Sequence, residues 1–182
     1  MLFDIDDTLV ISDATICVTD SDGEKKYFTT AQFRDAKNSN LLENKEIDFH
    51  TFGKNTLSEI RDGRPGPGFD ILERVLKEPY VDEIDFGLLT ARSQYSEGME
   101  GLKQFFTKHN TDFCFTEALC FFIHSPSWKN VLGGSSERKL KVLQALVESK
   151  AYKDIIFVDD DPAHEAAIKK SSIANDISFI LV

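Results

Sequence analysis

The stretch MLFDIDDTLV, residues 1–10, sets three aspartates into an apolar run. Met1, Leu2, Phe3 and Ile5 read as a short buried strand, yet Asp4 and Asp6 interrupt it and Asp7 follows at once. Carboxylates so close together repel one another, and burying them unpaired is costly. Positive charge must sit beside them, and a divalent cation is the simplest source. In a strand, Asp4 and Asp6 point to the same side. At a strand's carboxyl end, where open parallel sheets place their ligands, they would face one site together. One could act as nucleophile and the other as general acid, with a cation screening their repulsion. The plainer reading is an acidic turn after a strand. A calcium loop fits less well, because the DxDxDG start and the distal Glu of an EF-hand are missing. The strand begins at Met1, so it is either short or lacks a few upstream residues.

Four more apolar runs have the length and β-rich composition of strands: Ile84–Leu89, Ala118–Ile123, Ile155–Val158 and Ile177–Val182. Helical segments are expected between them, at residues 94–108, 162–171 and, most clearly, Ser136–Ser149. That last one carries Leu140, Leu143, Leu146 and Val147 on one face, with Ser135 or Ser136 as N-cap. Alternating strands and helices predict an α/β fold, a doubly wound parallel five-stranded sheet covered on both faces. Residues 11–67 break the rhythm and read as an insertion after the first strand. ATICVTDSDGEKKYFT predicts a β-hairpin turning at Asp22-Gly23. A short helix near Thr30–Lys37 and a polar stretch around Asn38–Asn44 follow, and DFHTFGKNTLSEI, from Asp48, suits another helix. RDGRPGPG, residues 61–68, reads as a loop, having two prolines and three glycines. Such an insertion is a natural lid or specificity element for a single domain spanning 1–182.

Composition narrows the function classes. An apolar fraction of 41% suits a globular protein. The net charge of −10 and a pI near 4.8 argue against a general grip on a nucleic-acid backbone. No apolar run approaches the roughly 20 residues that span a bilayer, and no signal-peptide pattern is seen. Cys17, Cys114 and Cys120 lack CxxC spacing, which speaks against a disulfide framework or zinc site. A cytoplasmic location is expected. The absence of GxxxxGK[ST] excludes a P-loop kinase.

Three other places hold chemistry-bearing residues. LLTAR, residues 88–92, ends a strand in Thr90, which either caps the next helix or holds a phosphate oxygen. Arg92 could add a charged fork there or lie solvated at the surface. Lys139 lies near the start of the Ser136–Ser149 helix, with Lys141 as its rival; both could simply face water. FVDDDPAH, residues 157–164, again ends an apolar run in clustered carboxylates. There Asp161 could be an N-cap and Pro162 suits a first helical turn, but capping accounts for one aspartate and not three.

The order acid pair, threonine, lysine, acid cluster resembles the haloacid dehalogenase-like (HAD) superfamily of aspartate-nucleophile phosphohydrolases. LFDIDDTLV matches its DxDxT motif, LLTAR its threonine motif, Lys139 its lysine and FVDDDPAH its DD motif. The resemblance covers the first strand and then the chain from Pro67 onward. The hairpin and FHTF segment of the insertion also resemble small HAD-like proteins of phage genomes. His164 stands four residues after Asp160, where many relatives carry Asn or Asp. The resemblance implies a central first strand flanked by those ending at Thr90 and Asp159, which would bring the four motifs to one mouth. It implies Asp4 as nucleophile, Asp6 as acid and base, Thr90 on a phosphate oxygen with Thr8 and Arg92 in the substrate site, and Lys139 offsetting charge. It also implies Mg²⁺ on Asp4, the Asp6 backbone carbonyl and Asp160, with Asp159 auxiliary. Asp7 has no role in this scheme.

The expected activity is therefore a Mg²⁺-dependent phosphatase hydrolysing a phosphomonoester through an aspartyl-phosphate, whereas dehalogenation fits less well because Asp6 is present. A phosphotransferase, or a binding module without catalysis on the same fold, is the alternative. A response-regulator receiver domain has its phosphorylated aspartate after the third strand, where this chain has Phe122-Ile123-His124. The expected substrate is a nucleotide or a polynucleotide end. Lys25, Lys26, Arg34, Lys37, His50 and Lys54 of the insertion, with Trp128 and Lys129 of HSPSWKNVLGG, are candidates to meet it.

Overall fold

In the computed structural model, which describes residues 1–48 and 55–182, β1 is only Leu2–Phe3, yet it is the hub of the molecule. It pairs in parallel with β7 (Gly87–Thr90) on one side and β9 (Ile155–Asp159) on the other. β8 (Cys120–Phe122) and β10 (Ile177–Leu181) complete a five-stranded, all-parallel sheet in the order β10-β9-β1-β7-β8. Successive side chains of a strand face opposite ways, so Phe3 joins one apolar core and Leu2 the other. Both are buried, which is why such a short strand reads as unbroken apolar sequence.

The two cores show which helices cover which face. Phe69 and Leu72 of α3 (Pro67–Val75) and Leu102, Phe105 and Phe106 of α4 (Tyr95–Lys108) pack on the Phe3 side. Val142 and Leu143 of α5 (Ser135–Ser149) and Ile168 of α6 (Pro162–Lys169) pack on the Leu2 side. The chain moves outward from β1 through β7 to β8, then crosses back to β9 and β10. Parallel crossovers are right-handed, so reversing direction moves the helices to the opposite face. The reversal places a topological switch point beside β1, where the carboxyl ends of β1, β7 and β9 meet.

The chain between β1 and α3 builds a second structure. Its two ends are zipped together, β2 (Val10–Ile11) pairing antiparallel with β6 (Arg64–Pro65). The expected hairpin forms from β3 (Thr15–Thr19) and β4 (Lys25–Thr29), with Gly23 at φ +84° in the turn. β5 (Glu46–Asp48) adds a third strand, which sequence reading missed. α1 (Thr30–Asn38) follows β4 and opens on a capping box between Thr29 and Gln32.

Two expectations for this region are corrected. The helix expected from Asp48 is α2 (Thr56–Asp62), while Asp48 ends a strand. His50, Lys54 and the FHTF stretch lie outside the described residues. RDGRPGPG is no loop: it finishes α2, forms β6 and starts α3. Its glycines serve close approach. The Gly66 amide donates to the Leu9 carbonyl at 2.9 Å and that of Gly68 to the Thr8 carbonyl at 2.8 Å. A Cβ at Gly68 would stand 2.7 Å from Thr8 Cγ2. Proline at the first helical position needs no amide partner, so Gly-Pro-Gly starts α3 hard against the loop after β1.

Smaller differences follow from local geometry. Residues 81–83 and 117–119, inside or beside expected strands, form single 3-10 turns. α5 is capped by the Gly134 backbone and by neither serine. Trp128, named above as a candidate to meet the substrate, is half-buried and packs against the Leu2-side core. The three cysteines are free, and among the described residues no helix is long and apolar enough to cross a membrane.

Candidate active site

Asp4 follows Phe3 at the carboxyl end of β1, its amide donating to the Val158 carbonyl at 3.0 Å. That bond extends the β1–β9 ladder by one residue and lays Asp4 beside Asp159, the last residue of β9. The chain then turns sharply, Leu9 and Val10 both donating to the Ile5 carbonyl. Asp7 takes the turn at φ +58°, a conformation that aspartate tolerates better than most residues. Its carboxyl is bonded by Thr30, the first residue of α1. Asp7 thus fastens the inserted structure to the site loop, a role that its sequence context did not disclose.

The carboxylates of Asp4, Asp159 and Asp160 offer ligand atoms within 4.8 Å of one another. Among the described residues the cations Lys139 and Arg34 pair with these acids, and Arg92 pairs with the neighbouring Asp6. The first is Lys139, buried completely on α5, with Nζ 2.7 Å from Asp159 Oδ2 and 3.2 Å from Asp4 Oδ1. Its directed hydrogen bond goes to Asp159, and Asp4 Oδ1 is left buried with no hydrogen-bond partner. Lys141 instead turns outward to the Leu132 carbonyl, so the geometry separates the two lysines. Lys139 lies three and four residues before Val142 and Leu143, on the buried stripe of α5. That spacing was the signal available in the sequence.

The second cation is Arg92. It forks onto Asp6, Nε to Oδ2 at 2.9 Å and Nη2 to Oδ1 at 2.7 Å. Its Nη1 reaches Glu59 at 2.9 Å and Thr56 at 3.3 Å on α2. Arg92 is buried, so it neither lies solvated nor offers a free fork to a substrate; it braces the second aspartate of DxD against the inserted structure. Glu59 and Thr56 escaped sequence reading because nothing in their local spacing announces a partner on another element.

The third cation is Arg34 of α1, whose Nη1 is bonded to Asp160 Oδ2. The other oxygen of Asp160 accepts from the Thr8 hydroxyl at 3.1 Å. Thr8, expected on the substrate, thus holds an acid in place. Of the other insertion cations expected near the site, Lys25 and Lys37 are exposed, and Lys26 pairs with Asp20 and Glu24. Thr90, at the end of β7, is fully buried and accepts from the Arg92 amide at 3.3 Å; the N-cap of α4 is Gln94.

Behind the acids, His164 Nδ1 stands 2.8 Å from Asp159 Oδ2. Burial and then the Lys139 charge hold its pKa below the ordinary imidazole value, so the ring is neutral near pH 7 and donates its Nδ1 proton to Asp159. Asp161 caps α6 through the Ala163 amide at 2.8 Å, leaving Asp159 and Asp160 for the site. Burial raises the carboxyl pKa of Asp159, but Lys139 and His164 outweigh it and bring it down to about 2. Asp4 goes the other way: burial pushes it up to about 7, Lys139 opposing and the charges of Asp159 and Asp6 reinforcing. Burial works against the charge of Lys139, yet Asp159 and Asp4 overcome it and hold its pKa above the ordinary value.

Hard oxygen donors in a cluster, one of them buried with no directed hydrogen bond beyond its ion pair with Lys139, fit a small divalent cation such as Mg²⁺. A cleft of about 460 Å³ opens at the inserted structure, lined by Asp13, Thr15, Asn55, Ser58, Glu59 and Asp62 among others. None of the acid cluster lines it, and Glu59, one of its lining residues, reaches Asp6 through Arg92. Comparison with models of known protein families, with curated proteins and with solved structures finds no match to this chain.

Proposed function

We propose that the chain is a Mg²⁺-dependent phosphomonoesterase of the haloacid dehalogenase-like kind, acting through an aspartyl-phosphate on Asp4. The observation that carries this reading is the meeting of Asp4, Asp159, Asp160 and Lys139 at one strand mouth, with a buried Asp4 oxygen lacking a hydrogen bond. A phosphate ester repels nucleophiles by its own charge, so neutralisation and positioning carry the catalysis. Asp4, Asp160 and the Asp6 carbonyl would hold the cation with Asp159 in support, and the bound ion would supply positive charge against the phosphoryl oxygens.

The chain's own residues divide the remaining work. Asp4 attacks phosphorus as the ester oxygen departs, giving the aspartyl-phosphate. Asp6 protonates the departing oxygen and afterwards takes the proton of the attacking water. The Arg92 fork suits the second step directly, since it aims an ionised carboxylate. Lys139 offsets charge on Asp4 and the transferring group. Asp159 orients Lys139 and is itself oriented by His164.

The substrate we favour is a small phosphorylated molecule, nucleotide-like, because a chain of net charge −10 gives a polynucleotide backbone little general attraction. Lys139, Arg92 and Arg34 already neutralise the acids, which favours a second reading: a binding module held together by ion pairs. One experiment separates the two. Phosphate release is measured from mononucleotides, 3′- and 5′-phosphorylated oligonucleotides, sugar phosphates and an aryl phosphate, with Mg²⁺ and with chelator. Release that needs Mg²⁺ and disappears in Asp4→Asn supports the phosphatase. Absence of release from every member by folded, Mg²⁺-loaded protein supports the module.

A further inference from the structure

The contact between Arg34 and Asp160 joins two parts of the chain that sequence order keeps far apart. Arg34 sits on α1 of the inserted structure, and Asp160 belongs to the acid cluster at the carboxyl end of β9. Both oxygens of Asp160 are engaged, Oδ1 by the Thr8 hydroxyl and Oδ2 by Arg34 Nη1. The pair is mostly shielded, the Arg34 side chain 24% exposed and that of Asp160 10%. Thr8 belongs to the site loop itself, whereas Arg34 arrives from outside, so Arg34 is the partner that can leave.

We propose that Arg34 is a cation-displaceable latch: its guanidinium occupies Asp160 in place of a divalent ion, and ion binding releases α1 from the mouth of the site. The proposal rests on reading Asp4, Asp159 and Asp160 as the cation site. Two positive groups cannot share one carboxylate oxygen without repulsion, so a cation that draws on Asp160 competes with Arg34 for it. Released, Arg34 has other acids at hand: Asp35 lies 3.4 Å from its Nε, and the charge of Asp7 acts on it too. The second fastening of α1, Thr30 to Asp7, does not involve the cluster. The release is therefore local to α1: the rest of the inserted structure stays tied through Arg92 to Asp6 and through the β2–β6 pairing. The two states are linked, so the latch weakens cation binding by the same factor by which the cation weakens the latch.

The test uses the full chain and Mg²⁺ alone, without substrate. Mg²⁺ affinity is measured by calorimetric titration for wild type, Arg34→Ala, Arg34→Gln and Asp160→Asn. Amide hydrogen exchange of residues 30–38 is followed with and without Mg²⁺. The latch predicts that both Arg34 variants bind Mg²⁺ about three- to tenfold more tightly than wild type. It also predicts that Mg²⁺ speeds exchange across α1 in wild type, whereas in the variants exchange is already fast and does not respond. Loss of a nearby positive charge alone would raise affinity without that exchange pattern, and this outcome overturns the latch. Unchanged or weaker affinity in the Arg34 variants overturns it as well. If Mg²⁺ binds wild type and Asp160→Asn abolishes binding, the cation site stands even where the latch fails. If wild type shows no saturable Mg²⁺ binding, latch and cation site fall together.

Discussion

Lys139 is the residue on which the acid cluster most depends. It is buried between Asp4 and Asp159, and removing one member of a buried ion pair typically costs about 3–5 kcal/mol, because the remaining charge has no partner. Lys139→Met should therefore lose that order of stability in urea denaturation, while Lys141→Met changes it by less than about 0.5 kcal/mol. Asp4 gives a pH signature of definite sign. Its pKa is raised in the folded protein from the ordinary aspartate value of 3.8 to about 7. The folded state thus holds the proton more firmly than the unfolded chain. The resulting stabilisation is full below the unfolded value and is lost as pH rises through about 7. Asp4→Asn keeps the neutral shape at every pH. With chelator present, its melting temperature should exceed that of wild type at pH 8, and the gap should close as pH falls toward 4. A wild type more stable than Asp4→Asn at pH 8 would mean that the Asp4–Lys139 attraction outweighs desolvation. The acids were legible in the sequence because a charge inside an apolar run is conspicuous. Arg92 was not legible as a brace, since its partners Asp6, Thr56 and Glu59 are distant in the chain.

At the scale of elements, β1 and the strands beside it were readable because each is a compact apolar run closed by polar residues. The expected flanking of β1 by β7 and β9 came from the resemblance and agrees with the pairing found. RDGRPGPG misled because glycine and proline usually punctuate loops. Here they let a helix start against the backbone of Thr8, a tertiary demand invisible to local reading. Gly68→Ala should cost about 1–3 kcal/mol through the contact its Cβ makes with Thr8. Because Thr8 holds Asp160, that variant should also weaken Mg²⁺ binding in the same calorimetric assay. α2 bears on the site from further away. Glu59→Gln removes the charge that shares Arg92 with Asp6, and turnover should fall about tenfold, within the range seen when outer supports of a site are changed. A change in KM with turnover untouched would place Glu59 in substrate binding instead.

For the whole molecule, the reversal of strand order beside β1 is what gathers four separated stretches into one mouth. The inserted structure is tied to that mouth at Asp7, Asp160 and, through Arg92, Asp6. Its fold was partly legible: the hairpin and α1 follow from turn and capping residues, while β5 and the β2–β6 zipper depend on pairings across long chain separations. Whether Asp4 carries the phosphoryl group is read from an acid-quenched single-turnover reaction with the best of the phosphomonoesters named above. Peptide mapping of the quenched protein should find a phosphoryl group on Asp4 in the presence of Mg²⁺, and none in Asp4→Asn or with chelator. Mg²⁺-dependent turnover with Asp4 unmodified, or undiminished turnover by Asp4→Asn, would contradict the account.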